Sequence, residues 1–78
     1  MKNTLKYIIS SIVENPKALE IKEEEQDGII NFVITVSKED MGRVIGKQGK
    51  VIKSIRNVMK IPAIKNNKKI YISLSENP

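Results

Sequence analysis

Val44-Ile45-Gly46-Lys47-Gln48-Gly49-Lys50-Val51-Ile52 is the stretch on which the fold turns. Two glycines stand three apart, and each joins a segment with helical apolar spacing. Without Cβ atoms they allow unusual dihedrals and let another backbone approach closely. On the N-terminal side, Ser37-Lys38-Glu39-Asp40 has the chemistry of a helix start, with Ser37 as N-cap and two carboxylates near the positive end of the dipole. That helix must be brief, since Gly46 follows within ten residues. On the C-terminal side a second helix starts at about Gly49. Its apolar stripe is Val51, Ile52, Ile55 and Met59 with Val58 alongside, and Lys50, Lys53, Arg56 and Lys60 recur at the complementary spacing. The stretch is therefore a very tight turn between two helices. The second helix presents free amides and a positive dipole end at that turn, which suits phosphate, and Lys47 and Lys50 add charge there. Gly46 alone would read as a helix C-cap; its surroundings decide otherwise.

Upstream, Leu5, Ile8, Ile9, Ile12 and Val13 make one stripe of an amphipathic helix over 1–14. Asn15-Pro16 ends it, because the residue before proline is driven out of the helical region. A strand is predicted over 18–25, with Leu19, Ile21 and Glu23 on one face. Asp27-Gly28 supplies the positive-φ pair of a tight hairpin. Ile29–Val36 (IINFVITV) is a β-branched strand with Ile30, Phe32, Ile34 and Val36 on one side. Downstream, Pro62 should end or kink the second helix of the pair, and Asn66-Asn67 is a break. Ile70, Ile72 and Leu74 alternate with Tyr71 and Ser73 as a last strand, leaving Ser75–Pro78 as a tail. The order is helix-strand-strand-helix-helix-strand. The expected class is α+β, with one core between a three-stranded sheet and three helices that cover one of its faces.

The net charge of +5 is unevenly placed. Residues 1–37 carry four basic and six acidic side chains, whereas 41–69 carry nine basic ones (Arg43, Lys47, Lys50, Lys53, Arg56, Lys60, Lys65, Lys68, Lys69) and no acidic one. Ordinary surfaces intersperse the two signs, so this segment points to a polyanion. There is neither cysteine nor histidine, which removes disulfides, thiolate sites and the commonest base and metal ligand. Glu23, Glu24 and Glu25 adjoin in an exposed segment rather than converging, and no Walker-type Gly-Lys-Ser/Thr follows the loop. No catalysis and no cofactor are expected. The apolar runs fall short of the roughly 20 residues that span a bilayer, and the N-terminal stripe is periodic, unlike a signal peptide. Membrane insertion is not expected and a cytoplasmic location is.

The pattern Ile-Gly-x-x-Gly-x-x-Ile, matched by Ile45, Gly46, Gly49 and Ile52 between two short helices and two strands, resembles the KH domain. The helix-first order is similar to its type II form. The likeness runs from Leu5 to Leu74, so that 1–78 is expected to be a single KH domain, ordered over about 3–75. The Met41–Gly49 run, the Asn15-Pro16 junction and Ala63-Ile64-Lys65 resemble the small stand-alone bacterial KH proteins of the KhpA type. Pro62 is the departure that puts the end of the long helix in doubt.

The resemblance implies single-stranded RNA as ligand. Gly46, Lys47, Gln48 and Gly49 would clamp the backbone of about four nucleotides. Met41, Val44 and Ile45, with Val51 and Ile52, would flank the groove for bases, some of them also serving the core. Arg43, Lys50, Lys53 and Arg56 would meet phosphates. It further implies RNA-chaperone or post-transcriptional work tied to cell elongation, cell shape, cell-wall biogenesis and envelope homeostasis. The implied partners are a homodimer mate and a second KH protein of the Jag/KhpB type. Aromatics are scarce, so stacking platforms are not evident, and single-domain affinity would need help from a second domain. Two other readings compete. One is a KH-fold module that binds protein through the first helix and Tyr71, with little RNA contact. The other is duplex DNA, which the short turn disfavours because it cannot present a recognition helix in the usual way.

Overall fold

The computed structural model describes residues 2–76. Asp27 and Gly28 both adopt positive φ (54° and 79°). They reverse the chain so that β1 (Glu20–Gln26) and β2 (Ile29–Val36) pair antiparallel, with Gln26 opposite Ile29. β3 (Lys69–Glu76) lies on the other side of β2 and runs parallel to it, Ile30 beside Ile70 and Phe32 beside Ile72. A parallel neighbour requires a crossover, and α2 (Lys38–Ile45) with α3 (Lys50–Lys65) provides it. α1 (Lys2–Ser10) precedes the sheet. The architecture is α+β with the expected type II KH order.

Period-two alternation puts Ile30, Phe32, Ile34 and Val36 of β2 on one face, all buried. Leu5 and Ile9 of α1, Val44 of α2, and Ile52, Ile55 and Met59 of α3 close over them. Each such side chain contributes about 1.5–3 kcal/mol on burial. The opposite sheet face is open, Asn31 and Tyr71 being exposed. β1 is the weak strand: only Ile21 within it is half-buried.

Several boundaries depart from expectation, each for a local reason. α1 ends at Ser10, not near 14. The Ser11 hydroxyl donates to the Ile8 carbonyl at 2.7 Å, and the chain leaves the helix to deliver the Glu14 and Asn15 amides to Asp40. The stripe still reaches the core through Val13. Pro16–Ala18 forms a single 3₁₀ turn, which delays β1 to Glu20. Ser37 sits at the N-cap position of α2, but its hydroxyl donates to Asp40 Oδ2 at 3.1 Å and does not cap the backbone.

Pro62 does not end α3, which continues to Lys65. The intrahelical bond that its missing amide removes is the one the Val58 carbonyl would accept, and Val58 is 46% exposed. Continuing the helix inserts Ala63 into the core at 3% exposure. α3 then stops at Asn67, with φ 57°. The Asn67 amide bonds Ile64 O at 3.0 Å and the Lys68 amide bonds Ala63 O at 2.8 Å, a Schellman closure. Ser75 and Glu76, expected in a tail, extend β3 opposite Thr35 and Val36. Met1, Asn77 and Pro78, parts of the expected first helix and tail, lie outside the described residues.

Candidate nucleic-acid interface

The last turn of α2 closes with the Gly46 amide donating to Gly42 O at 2.8 Å. Gly46 then turns to φ 75°, ψ 174°. A Cβ here would stand 2.3 Å from Val51 Cγ2 and 2.8 Å from Val51 Cβ. No side chain fits, so glycine is demanded by space as well as by dihedral. Lys47–Gly49 make one tight turn in which Gln48 is left-handed at φ 57°, ψ 26°. Gly49 follows in the same region at φ 74°, with ordinary room for a Cβ. The two glycines therefore do different work: Gly46 lets α3 pack against the turn, and Gly49 only supplies a conformation. Gln48 makes a third positive φ, which its sequence neighbours do not announce.

The turn spends part of its hydrogen bonding internally. The Gly49 amide donates to Gly46 O at 3.2 Å and the Lys50 amide to Lys47 O. The amides that follow in the first turn of α3 have no intrahelical carbonyl to reach, and Gly49 offers no side chain to cap them. They make up the dipole's positive end, with Lys47, Gln48 and Lys50 exposed around them. Lys53 and Arg56 continue along α3 on its exposed side, and Arg56 Nη2 donates to Ile72 O at 3.4 Å, bridging to the edge strand. Among the described residues Lys47 and Lys50 form no ion pair, so an anion arriving at the turn meets uncapped amides and two exposed ammonium groups.

The other expected site residues separate into two groups. Met41 and Val51 are half-buried and Ile45 is 36% exposed, so each keeps a surface beside the loop. Val44 is completely enclosed and Ile52 nearly so; they support the turn from beneath. Arg43 is not a free cation. Its Nη2 lies 3.0 Å from Glu14 Oε1 and its Nε 3.5 Å from Asp40 Oδ1.

Asp40 is the residue whose role sequence reasoning missed. It is 1% exposed and accepts the Glu14 and Asn15 amides, both at 2.9 Å, as well as the Ser37 hydroxyl. It thus ties the segment that follows α1 to the first turn of α2. The Glu14 amide first, and then Asn15, Ser37 and Arg43, hold its carboxyl below the usual range against the opposing effect of burial. The signal was present as Ser37-x-x-Asp40, the spacing of a capping box, although Asp40 reaches across to another segment.

The family model described as the KhpA/KhpB KH domain matches residues 2–74. The chain belongs to the KhpA/KhpB KH-domain family. The RNA-binding protein KhpA of Listeria monocytogenes is 41% identical over 76 residues, covering 97% of this chain and all of the relative. Proteins of the same name from Chlamydia caviae (40%, 97% of each chain) and Clostridium perfringens (42%, 95% of this chain and 99% of the relative) are similarly close. The match with KhpA proteins is therefore end to end, across the loop, all three helices and the sheet. Among the described residues no helix is long and apolar enough to cross a membrane.

Proposed function

We propose that this chain binds single-stranded RNA, holding the sugar-phosphate backbone at Gly46-Lys47-Gln48-Gly49. The turn carries the proposal: three positive-φ residues leave its backbone bare, at the uncapped start of a helix, with Lys47 and Lys50 exposed beside it. Relatives named RNA-binding proteins, aligned over nearly the full chain, support RNA as the ligand. Bases would lie against Met41, Ile45 and Val51, with Val44 behind them. Lys53 and Arg56 would meet further phosphates, and Arg43 would do so while sharing its guanidinium with Glu14. The chain would act without catalysis or cofactor, in the cytoplasm, as an RNA chaperone or post-transcriptional regulator. By family likeness that work would bear on cell elongation and envelope homeostasis.

The Lys47→Asp/Gln48→Asp double variant tests this. Both positions are exposed and aspartate tolerates the left-handed region, so stability should stay within about 0.5 kcal/mol of the parent. Affinity for a single-stranded RNA 12-mer should fall about tenfold or more, the loss of one or two charge-assisted contacts. Parent-like affinity would refute the assignment.

One observation favours a protein-binding role alongside. The α1 stripe is spent in the core, but Ile61, Ile64 and Tyr71 are 61%, 75% and 54% exposed. Lys60, Ile64, Lys68, Lys69 and Tyr71 line a shallow depression of about 310 Å³ there. A second copy, or a second KH protein of the Jag/KhpB type, would cover this patch. Ile64→Glu should then lower the mass measured by sedimentation, and an unchanged mass would exclude the patch.

A further inference from the structure

Of the five cations assigned to the RNA, Arg43, Lys47, Lys50, Lys53 and Arg56, only Arg43 pairs with carboxylates among the described residues. Its two partners are not alike. Asp40 is enclosed, and its oxygens accept the Glu14 and Asn15 amides and the Ser37 hydroxyl. The Glu14 side chain, 3.0 Å from Arg43 Nη2, is 74% exposed. Glu14 is therefore the partner that can let go.

The pair is prepared by its surroundings. Asp40 receives the Glu14 amide at 2.9 Å and lies 3.5 Å from Arg43 Nε, so one buried carboxylate fixes the backbone of one partner and the head group of the other. An exposed ion pair ordinarily loses side-chain entropy to hold its geometry; here part of that ordering comes from the fold. Arg43 is also set apart from the apolar shelf beside the loop. It stands two residues from Met41 and two from Ile45, about 200° around the helix in each direction, on the flank that faces the segment following α1.

We propose that Glu14 is a built-in competitor for phosphate: its carboxylate occupies the Arg43 guanidinium in the free chain, and a strand seated at Gly46–Gly49 gains that cation only by displacing it. The proposal rests on the RNA-binding function above and gives a restraining role to a residue outside both the loop and its two helices. One ion pair is exchanged for another, so Arg43 adds little to affinity while Glu14 is present. Glu14 thereby holds down both the affinity and the salt dependence of binding.

The test is a double-mutant cycle on the full chain, with Glu14→Gln, Arg43→Gln and the two combined. Glu39→Gln and the Lys47→Asp/Gln48→Asp loop variant serve as references. Each is titrated with a labelled single-stranded RNA 12-mer at several salt concentrations. Glu14→Gln keeps the backbone amide on Asp40, so Tm should stay within about 4 °C of the parent's. Affinity should rise roughly two- to fivefold, the range of one exposed ion pair. The slope of log affinity against log salt should steepen by up to about 0.7, the share of one added phosphate contact. In the Arg43→Gln background the same change should have no effect. Glu39 lies four residues before Arg43 on α2 without pairing with it, so Glu39→Gln removes an equal charge and should gain less than half as much. An equal gain from Glu39→Gln, or a gain from Glu14→Gln that persists without Arg43, would reduce the effect to net charge and overturn the proposal. Unchanged or weaker binding by Glu14→Gln, with the loop variant impaired, would overturn it and leave the loop assignment standing. Parent-like affinity in the loop variant would take the strand off the turn and overturn both.

Discussion

Gly46 and Gly49 look equivalent in sequence and differ in what a methyl group would cost. At Gly46 the Cβ would penetrate Val51, whose own backbone nitrogen is 2.9 Å away, so Gly46→Ala must displace the start of α3; a loss of roughly 2–4 kcal/mol in urea unfolding is expected. At Gly49 the nearest atom is 3.9 Å off, and alanine there should lose only about 1–2 kcal/mol, the strain of a left-handed residue. Equal losses would contradict the division of labour. Asp40 gives a second residue-scale prediction. Its folded pKa lies below the ordinary value of 3.8, so the bracket stabilises the fold above that value and is lost as pH falls through the lower, folded one. Asp40→Asn should lower Tm by several degrees at neutral pH, and the gap from the parent should narrow as pH drops below about 4. A gap that stays constant to pH 2 would show that charge on Asp40 is irrelevant. The loop lysines were legible in sequence because chemistry and spacing coincide in one run. The pairing of Arg43 was not, since Glu14 is far away in the chain and converges only through the α1–α2 junction.

At the scale of elements, type and order were readable from periodicity with turn and cap chemistry: period 3.6 in α1 and α3, period two in β2 and β3, Asp-Gly between β1 and β2, and a helix start at Ser37. What periodicity cannot report is where tertiary contacts take over. Ile12 and Val13 continue the α1 stripe, yet the chain has already left the helix there to serve Asp40. Pro62 is the reverse case, a breaker that tertiary context overrides: Ala63 reaches the core, and the bond lost is the one at Val58, an exposed residue. Pro62→Ala should therefore stabilise the domain by roughly 1–3 kcal/mol by restoring that bond. Destabilisation in urea unfolding would mean that the proline's rigidity matters more than the missing hydrogen bond.

For the whole molecule, the asymmetry of charge sets the behaviour in solution. Acidic side chains crowd β1, at 20 and 23–25, while eight of the nine basic residues of 41–69 follow the loop, α3 and the turn into β3, Arg43 lying in α2. A single strand contacting Lys47, Lys50 and Lys53 should release about 0.7 of a counterion per contact, giving a slope of roughly −2 in log affinity against log salt. A flat salt dependence would indicate a protein ligand. The basic segment was legible in the sequence, but the left-handed turn at its start was only half so, because Gln48 gives no sign of its positive φ. The most direct measurement is an amide chemical-shift titration of the ¹⁵N-labelled chain with a single-stranded RNA 12-mer. Backbone contact at the turn predicts the largest shifts from Gly46 to Lys53, smaller ones along α2, and almost none in β1. Shifts centred on β1 or the open sheet face, with the turn unmoved, would contradict it.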